Sequence, residues 1–468
     1  MMKTKNYELV VLGGGFGGYT AAIRAAQLGK RVALIEEEGL GGTCLNMGCI
    51  PTKYLLQNAK IIKCCGQAVS RGIHLGAPAI DMAQMMKDKD RKVKRLAGGI
   101  RLLLKSNNID VYSGAGRVFP DKTVRISTED GGVVLSWEKL IAATGSKPVI
   151  PPQFRKIDGI LTNKTALQLT YVPKELVIVG GGVVGCEFAT IFSVFGAKVT
   201  MLQNSGTLIN GFDHEGTKCV EESLLKNGVS IVYNANVKDI YRDSIGSYHL
   251  EVSVKNEDQT RSFNCTDVLL ATGRCANFKG LEGLNLDKDR GWVEVNDYLE
   301  TSFKDVYAIG DVTAKSHLAH GAAAMAERAV DNIFGAKPKK MDYRLIPCCV
   351  YTLPEVASVG MTEERARELY DDIKIGHFPM SASGRAVIRD ESQGFVKIIS
   401  EGKYGEILGV HVAGPGATEL IAQAETVMML EGTVQDMCRI IYPHPTVSEA
   451  LCEAALDVCD KAIHLPKK

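Results

Sequence analysis

Short apolar runs punctuate the chain, each stopped by a cluster of glycines and followed by a helical pattern. In residues 7 to 36, YELVVLGGGFGGYTAAIRAAQLGKRVALIE, the run Leu9–Leu12 meets Gly13-x-Gly15-x-x-Gly18. A helical stretch follows, then a second apolar run, Val32 to Ile35, ending in Glu36. The order predicts strand, glycine turn, helix and strand, a dinucleotide-binding unit. Gly13 permits the tight turn, Gly15 lets the backbone approach a pyrophosphate, and Gly18 lets the helix pack on the strand. The helix N-terminus presents free N–H groups and a partial positive charge to the phosphates. Glu36, 18 residues after Gly18, is placed to hydrogen-bond an adenosine ribose.

The pattern recurs at 176 to 203, LVIVGGGVVGCEFATIFSVFGAKVTMLQ, where Gly180, Gly182 and Gly185 stand between two apolar strands. Two such units, 167 residues apart, suggest a chain that passes electrons between two nucleotide cofactors, one of them a flavin. At the second site Gln203 occupies the place of the acid. A glutamine can bond a ribose hydroxyl, but it lacks the charge that repels a 2′-phosphate. The following Asn204-Ser205-Gly206 holds no arginine to bind that phosphate, so NAD is expected over NADP. Two further clusters fit a flavin: Thr144-Gly145-Ser146 after the run LIAATG, and Gly310-Asp311 after a short strand, with Asp311 able to bond a ribityl hydroxyl. Read alone, each is a strand-to-turn junction.

The run GGTCLNMGCIPTK, 41 to 53, places Cys44 and Cys49 five residues apart. Read without context, they are either two core thiols or a redox pair. Zinc is disfavoured, because no second cysteine pair or histidine cluster accompanies them. Beside a flavin they gain a role, since two thiols can close a disulfide that accepts two electrons, and a helix N-terminus favours thiolate. Such exchange needs an acid–base group. Of the nine histidines, His444 has the most distinctive setting, HPTVSEA: Pro443 and Pro445 bracket it, and Glu449 follows at the start of a helical stretch.

Composition narrows the class. At 468 residues the chain exceeds one core, so two to four domains are expected. A net charge of +1 argues against a nucleic-acid binder held by a basic face. No stretch approaches the ~18 apolar residues of a membrane span. The N-terminus enters an apolar strand by Tyr7, so no signal peptide and a cytoplasmic protein are expected. Thirteen cysteines at irregular positions argue against a secreted disulfide framework. The adjacent pairs Cys64-Cys65 and Cys348-Cys349 are expected to be buried thiols.

Through these residues the chain resembles the flavin disulfide reductases, the class I pyridine nucleotide-disulfide oxidoreductases, over nearly its whole length. The segments that carry the resemblance include GGTCLNMGCIPTK, AATGSKP, GGGVVGCE, LLATGR, AIGDV, HLAH, YTLPEVASVGMTEE and HPTVSEA. LNMGCIPTK, HLAH and PEVASVGMTEE look most like the lipoamide branch. The resemblance implies an α/β fold with two Rossmann-like dinucleotide-binding domains, for FAD and NAD, and a C-terminal α+β interface (dimerisation) domain. By resemblance the FAD domain spans 1–148 and 276–342, the NAD domain 149–275, and the interface domain 343–468. It implies that Cys44 is the interchange thiol and Cys49 the thiol facing the flavin. His444 is the acid–base group with Glu449 as its partner, supplied across a homodimer, and Lys53 and Glu187 form a charged pair at the flavin's reactive edge. FAD would be held by Gly13, Gly15, Gly18, Glu36, Gly42, Thr43, Lys53, Thr144, Gly145, Ser146, Gly310, Asp311, Leu318, Ala319 and His320. NAD would be held by Gly180, Gly182, Gly185, Gln203 and Gly273.

The activity so implied is oxidation of protein-bound dihydrolipoamide to lipoamide with NAD⁺. The lipoyl-bearing partner would belong to a 2-oxo acid dehydrogenase or glycine cleavage complex. No metal, membrane or nucleic acid is expected. Gln203 keeps open an NADPH-dependent reductase of a glutathione-like or other low-molecular-weight disulfide. A non-catalytic FAD-binding subunit of a multienzyme complex is the rival of another class. Two departures from the family pattern are Cys275-Ala276-Asn277-Phe278 after Gly273-Arg274, and Lys315-Ser316-His317 before Leu318. His317 is expected to point to solvent.

Overall fold

The computed structural model of the chain describes residues 5–128 and 131–467. Five parallel strands form the centre of the first sheet. Their order is Asp110–Ser113, Val32–Glu36, Lys5–Leu12, Gly131–Ala142 and Val306–Ala308. The central run Leu9–Leu12 is buried throughout, as an all-apolar strand between two covered faces must be. The long strand Gly131–Ala142 pairs with Lys5–Leu12 along one edge and serves two neighbours along the other. Its first half pairs antiparallel with Thr123–Thr128, and Leu140–Ala142 pair with Val306–Ala308. That second pairing returns a distant part of the chain to the first sheet.

Between these pieces lies a second parallel sheet, in the order Ser230–Val232, Lys198–Leu202, Glu175–Val179, Asp267–Leu270. A third sheet is antiparallel, running Cys348–Val350, Glu355–Gly360, Ile407–Gly414, Phe395–Glu401, Ile373–Pro379. The helices Ala417–Met429 and Glu449–Val458 share one apolar core with this sheet. The chain is thus mixed α/β with two nucleotide-type sheets and one α+β unit. Among the described residues, no helix is long and apolar enough to cross a membrane.

The two glycine turns repeat one another closely. Gly13 has φ +105° and a Cβ there would lie 2.3 Å from the Ala143 carbonyl oxygen. Gly180 has φ +114° and would meet the Ala271 oxygen at the same 2.3 Å. A Cβ on Gly18 would fall 1.8 Å from the Gly13 oxygen, and one on Gly185 2.0 Å from the Gly180 oxygen. No side chain fits there, so each helix can seat directly on its strand.

The adjacent thiols depart from the expectation of burial. Cys64 is exposed, while Cys65, Cys348 and Cys349 are half-buried. The buried stripe of the helix Cys49–Ala68 runs through Thr52, Leu55, Leu56 and Ala59 and stops short of 64 and 65.

Gly376 brings the helix Glu449–Val458 onto the strand Ile373–Pro379. A Cβ there would lie 2.0 Å from the Ala454 oxygen and 2.7 Å from the Val458 nitrogen, both backbone atoms. Gly376→Ala should therefore destabilise the fold by about 1–3 kcal/mol, as overpacking does. Urea denaturation followed by circular dichroism checks this, and an unchanged midpoint would mean that the helix moves without cost.

Candidate active site

The thiol-bearing segment is seated by its glycines. Gly41 and Gly42 have φ of +94° and +57°, in the left-handed region. A Cβ on Gly42 would lie 2.7 Å from the Gly15 Cα, and Gly41 N–H donates to the Gly14 oxygen at 2.8 Å. The cysteine segment therefore packs on the first fingerprint turn itself. Cys44 lies in the helix Gly42–Met47, and Cys49 opens the helix Cys49–Ala68. The N-cap of that second helix, Gly48, has no side chain, so the N–H groups of its first turn remain available to an anion at Cys49.

Both cysteines are free thiols here, the reduced form of the pair. The Cys44 S–H hydrogen bond to Cys49, helped by the charge of Lys53, lowers the Cys49 thiol to about 7. The same hydrogen bond, together with burial, pushes Cys44 well above the ordinary thiol value. The pair thus holds one proton between two sulfurs, with the negative charge on Cys49.

Lys53 sits one helical turn beyond Cys49. Its Nζ donates to both carboxylate oxygens of Glu187 at 2.9 Å. Glu187 is only 3% exposed and also accepts from Tyr351 N–H at 3.1 Å. Lys53 Nζ lies 4.5 Å from the Tyr351 ring centroid. Three parts of the chain thereby meet at one carboxylate. The sequence placed the Lys53–Glu187 pair only through the resemblance, and Tyr351 carried no signal beyond lying in the segment YTLPEVASVGMTEE.

All of these groups border one cavity of about 2000 Å³. Every residue read for the flavin lines it, from Gly13 through Glu36, Gly42, Thr43, Thr144, Gly145, Ser146, Gly310 and Asp311 to Leu318, Ala319 and His320. The helix Phe16–Gln27 has Gly15 as N-cap and no side-chain cap, so its first N–H groups face the cavity unpaired. Glu36 accepts from Gly14 N–H at 2.6 Å and from the Glu38 and Gly39 N–H groups at 2.8 and 3.0 Å. These positions leave one of its acceptor sites for a ribose hydroxyl. Asp311 accepts from Ser146 Oγ at 2.5 Å, beside the entrance formed by Thr144 and Gly145. The uncapped helix, the carboxylates of Glu36 and Asp311 on the lining and the size of the cavity fit FAD. Cys348 and Cys349 line the same cavity, which the sequence did not indicate. His317, expected to point to solvent, is exposed but lines this same cavity, and it lies 4.8 Å from Trp292, ring centre to ring centre.

The second fingerprint borders this cavity only through Val183, Val184, Glu187 and Phe188, with Phe212 beside them. Gly180, Gly182, Gly185, Gln203 and Gly273 lie outside its lining. Gly182 caps the helix Val183–Val194 without a side-chain bond and has open space around it, which suits a second pyrophosphate. Gln203 is buried and fully engaged as a donor. Its Oε1 accepts from Gly181 N–H at 2.8 Å, and its Nε2 donates to Ser205 Oγ at 2.7 Å and to the Thr207 oxygen at 2.8 Å. Only an acceptor position remains for a ribose hydroxyl. Arg274 turns away from this site and donates to Ser146 Oγ at 2.6 Å and the Ser146 oxygen at 2.8 Å. Asn277 ties the same junction through the Thr144 and Gly145 backbone.

His444 and Glu449 pair with each other, Nδ1 to Oε1 at 2.9 Å. Thr446 N–H donates to the other Glu449 oxygen at 2.9 Å. Against burial, which raises it, the Thr446 N–H and His444 hold the Glu449 carboxyl below its ordinary value. The bond occupies Nδ1 and leaves Nε2 to exchange protons. Neither residue lines the cavity that holds Cys44 and Cys49, and the imidazole is 80% exposed in a single chain.

The comparisons with known proteins agree with this geometry. Residues 7–326 match the pyridine nucleotide-disulphide oxidoreductase family, and residues 346–455 match the pyridine nucleotide-disulphide oxidoreductase dimerisation domain. The chain is 38% identical to a dihydrolipoyl dehydrogenase of Bacillus subtilis, over 98% of this chain and 99% of that one. It is 37% identical to the mitochondrial dihydrolipoyl dehydrogenase of Caenorhabditis elegans, over 98% and 94%. Among solved structures it is similar to LpdA of Mycobacterium tuberculosis, with a TM-score of 0.89 at 25% identity over 97% of this chain and 99% of that one. It is also similar to a Cu(II) complex of the flavoprotein disulfide reductase RclA of Escherichia coli, with a TM-score of 0.86 at 28% identity over 97% and 99%. With two fingerprint turns, a proton-sharing thiol pair on the first of them and a dimerisation domain behind, the chain belongs to the pyridine nucleotide-disulphide oxidoreductases, enzymes that use FAD and a pyridine nucleotide.

Proposed function

We propose that this chain oxidises protein-bound dihydrolipoamide to lipoamide with NAD⁺ as the electron acceptor, working as a cytoplasmic homodimer. In this reading the FAD domain comprises 1–148 and 276–342, the NAD domain 149–275 and the interface domain 343–468. The observation that carries it is the placement of Cys44 and Cys49 on the first fingerprint turn, lining the cavity together with Lys53 and Glu187. The relatives named dihydrolipoyl dehydrogenase, matched over nearly the whole chain, support the substrate class.

The steps of the chain's own residues follow from their chemistry. In the oxidised pair, a substrate thiolate attacks the Cys44 sulfur, the Cys44–Cys49 bond breaks, and Cys49 leaves as thiolate. The Lys53 charge and the uncapped helix N-terminus at Cys49 favour its thiolate, which makes it the leaving group. The imidazole of the partner subunit's His444 takes the substrate proton at Nε2, and Glu449 holds its ring by the Nδ1 bond. The second substrate thiol then displaces Cys44 and passes its proton to the departing Cys44 sulfur, which leaves lipoamide as a disulfide and the enzyme pair as one thiol and one thiolate. FAD, held by the Gly13–Gly18 turn, Glu36, Thr144–Ser146, Asp311 and Leu318–His320, supplies the two-electron link from the thiol pair to the nicotinamide. Lys53, fixed by Glu187, steadies the negative charge that gathers beside Cys49.

Three outcomes test this reading. Cys44→Ser should keep bound flavin, read from the visible absorbance of the purified protein. It should lose dihydrolipoamide turnover to below about one-thousandth. A colourless variant would make Cys44 a structural residue. In the reduced enzyme, alkylation of Cys49 by iodoacetamide should rise with a midpoint near pH 7, since its thiol lies at about 7. Lys53→Met should move that midpoint upward, because losing the cation disfavours the thiolate. A downward or absent shift would remove Lys53 from the thiol chemistry. For the nucleotide, NADH should support lipoamide reduction better than NADPH, and Gln203→Glu should widen that preference by roughly tenfold through repulsion of the 2′-phosphate. Activity with NADPH and a glutathione-like disulfide alone would move the protein to the rival reading.

A further inference from the structure

One lysine outside the reaction cavity is almost fully enclosed by charge. Lys397, on the strand Phe395–Glu401 of the third sheet, is 3% exposed. Its Nζ lies 3.2 Å from both Asp213 oxygens, 2.9 Å from Glu215 Oε1 and 2.5 Å from Glu363 Oε2. His377 Nε2 bonds the other Glu215 oxygen at 3.0 Å, and Arg367 donates twice to Glu363. Asp213 and Glu215 belong to the second nucleotide unit, whereas Lys397, His377 and Glu363 belong to the dimerisation region. Burying such a lysine is expensive unless its partners stay in place, so the cluster fixes the geometry of both sides.

Asp213 is not an arbitrary attachment point. It is 1% exposed and caps the helix His214–Lys226 by accepting from Glu215 N–H. The residue before it, Phe212, lines the main cavity beside Val183 and Glu187. The loop it closes, 203 to 213, begins at Gln203. That loop grips the second fingerprint turn from both sides: Gly181 N–H donates to Gln203 Oε1, and Ile209 N–H donates to the Gly181 oxygen, each at 2.8 Å. One end of the loop is thus bonded to the fingerprint turn and the other is bonded to Lys397.

We propose that Lys397 is a positioning residue for the nicotinamide nucleotide: by holding Asp213 it sets the 203–213 loop and Phe212 against the second fingerprint turn, so nucleotide affinity depends on the dimerisation region. This rests on the reading above that the second turn takes the nicotinamide nucleotide. A lysine that served only to glue the two parts together would lower stability without selecting between substrates.

The test uses the FAD-loaded dimer and its Lys397→Met, Lys397→Arg and Glu363→Gln forms. Calorimetry gives the Kd for NAD⁺, and steady-state rates give KM for NADH and for lipoamide. Lys397→Met should raise the Kd for NAD⁺ and the KM for NADH roughly tenfold, in the usual range for coupling between sites. The KM for lipoamide and the flavin content should stay at the wild-type level. Lys397→Arg should restore the affinity. Glu363→Gln removes a partly exposed partner without stranding the lysine, and it should give a smaller rise of roughly twofold to threefold even where Lys397→Met does not fold. An unchanged Kd in a folded Lys397→Met or in Glu363→Gln overturns the proposal, as does an equal loss for both substrates. Absence of nicotinamide nucleotide binding in the wild-type enzyme would instead overturn the functional reading on which it rests.

Discussion

A carboxylate buried as deeply as Glu187 cannot remain charged without partners, and the arrangement of the site follows from where those partners come from. Lys53 arrives on the helix that Cys49 opens, and Tyr351 N–H arrives from the connection between the strands Cys348–Val350 and Glu355–Gly360 of the third sheet. Glu187 itself sits on the helix that follows the second fingerprint. Removing one member of a buried pair costs about 3–5 kcal/mol, because the other is left as an uncompensated charge. The thiols, the second nucleotide unit and the dimerisation region are therefore held in register by the same group that places a cation beside the reactive sulfur. Stability and chemistry use one interaction here.

Duplication explains much of the rest. In both nucleotide units the first glycine turns under a carbonyl, the last glycine admits the helix, and the residue ending the second strand bonds the N–H of the middle glycine. Glu36 does this for Gly14, and Gln203 does it for Gly181. The bond is the shared structural duty, and either side chain can perform it. What differs is the remainder. A carboxylate bonded to three N–H groups still carries charge and a free acceptor site, whereas the amide of Gln203 has given both donor hydrogens to its own loop. The substitution leaves the turn intact and removes charge only where a nucleotide would meet it.

The glycine units, the thiol pair and the His444–Glu449 dyad were legible because each depends on residues close in sequence. A turn that forbids a Cβ writes itself as glycine, and a dyad five residues apart writes itself as a local motif. The contacts that assemble the site across the chain were not legible. Nothing in QGFVKIIS marks Lys397 as a buried cation, since strand lysines are usually solvated. Likewise Phe212, Cys348 and Cys349 reach the cavity only because separate sheets converge on it. The sequence reads Gln203 as able to bond a ribose hydroxyl, and the hydrogen bonds that consume its amide donors depend on how residues 205 to 207 fold back.

The dimerisation region has two faces with different work. Toward its own chain it presents Lys397 to the nucleotide unit and Tyr351 N–H to Glu187. Toward solvent in a single chain it presents His444, and Ile441 and Leu430 of the same region are also exposed, at 95% and 76%. This region matches a dimerisation domain, and its dyad lies outside the lining of its own chain's cavity. The sheet that carries Lys397 and the helix that carries Glu449 share one core, and Gly376 presses them together without room for a single added carbon. The His444–Glu449 dyad and Lys397 thus lie on one packed unit of sheet and helix.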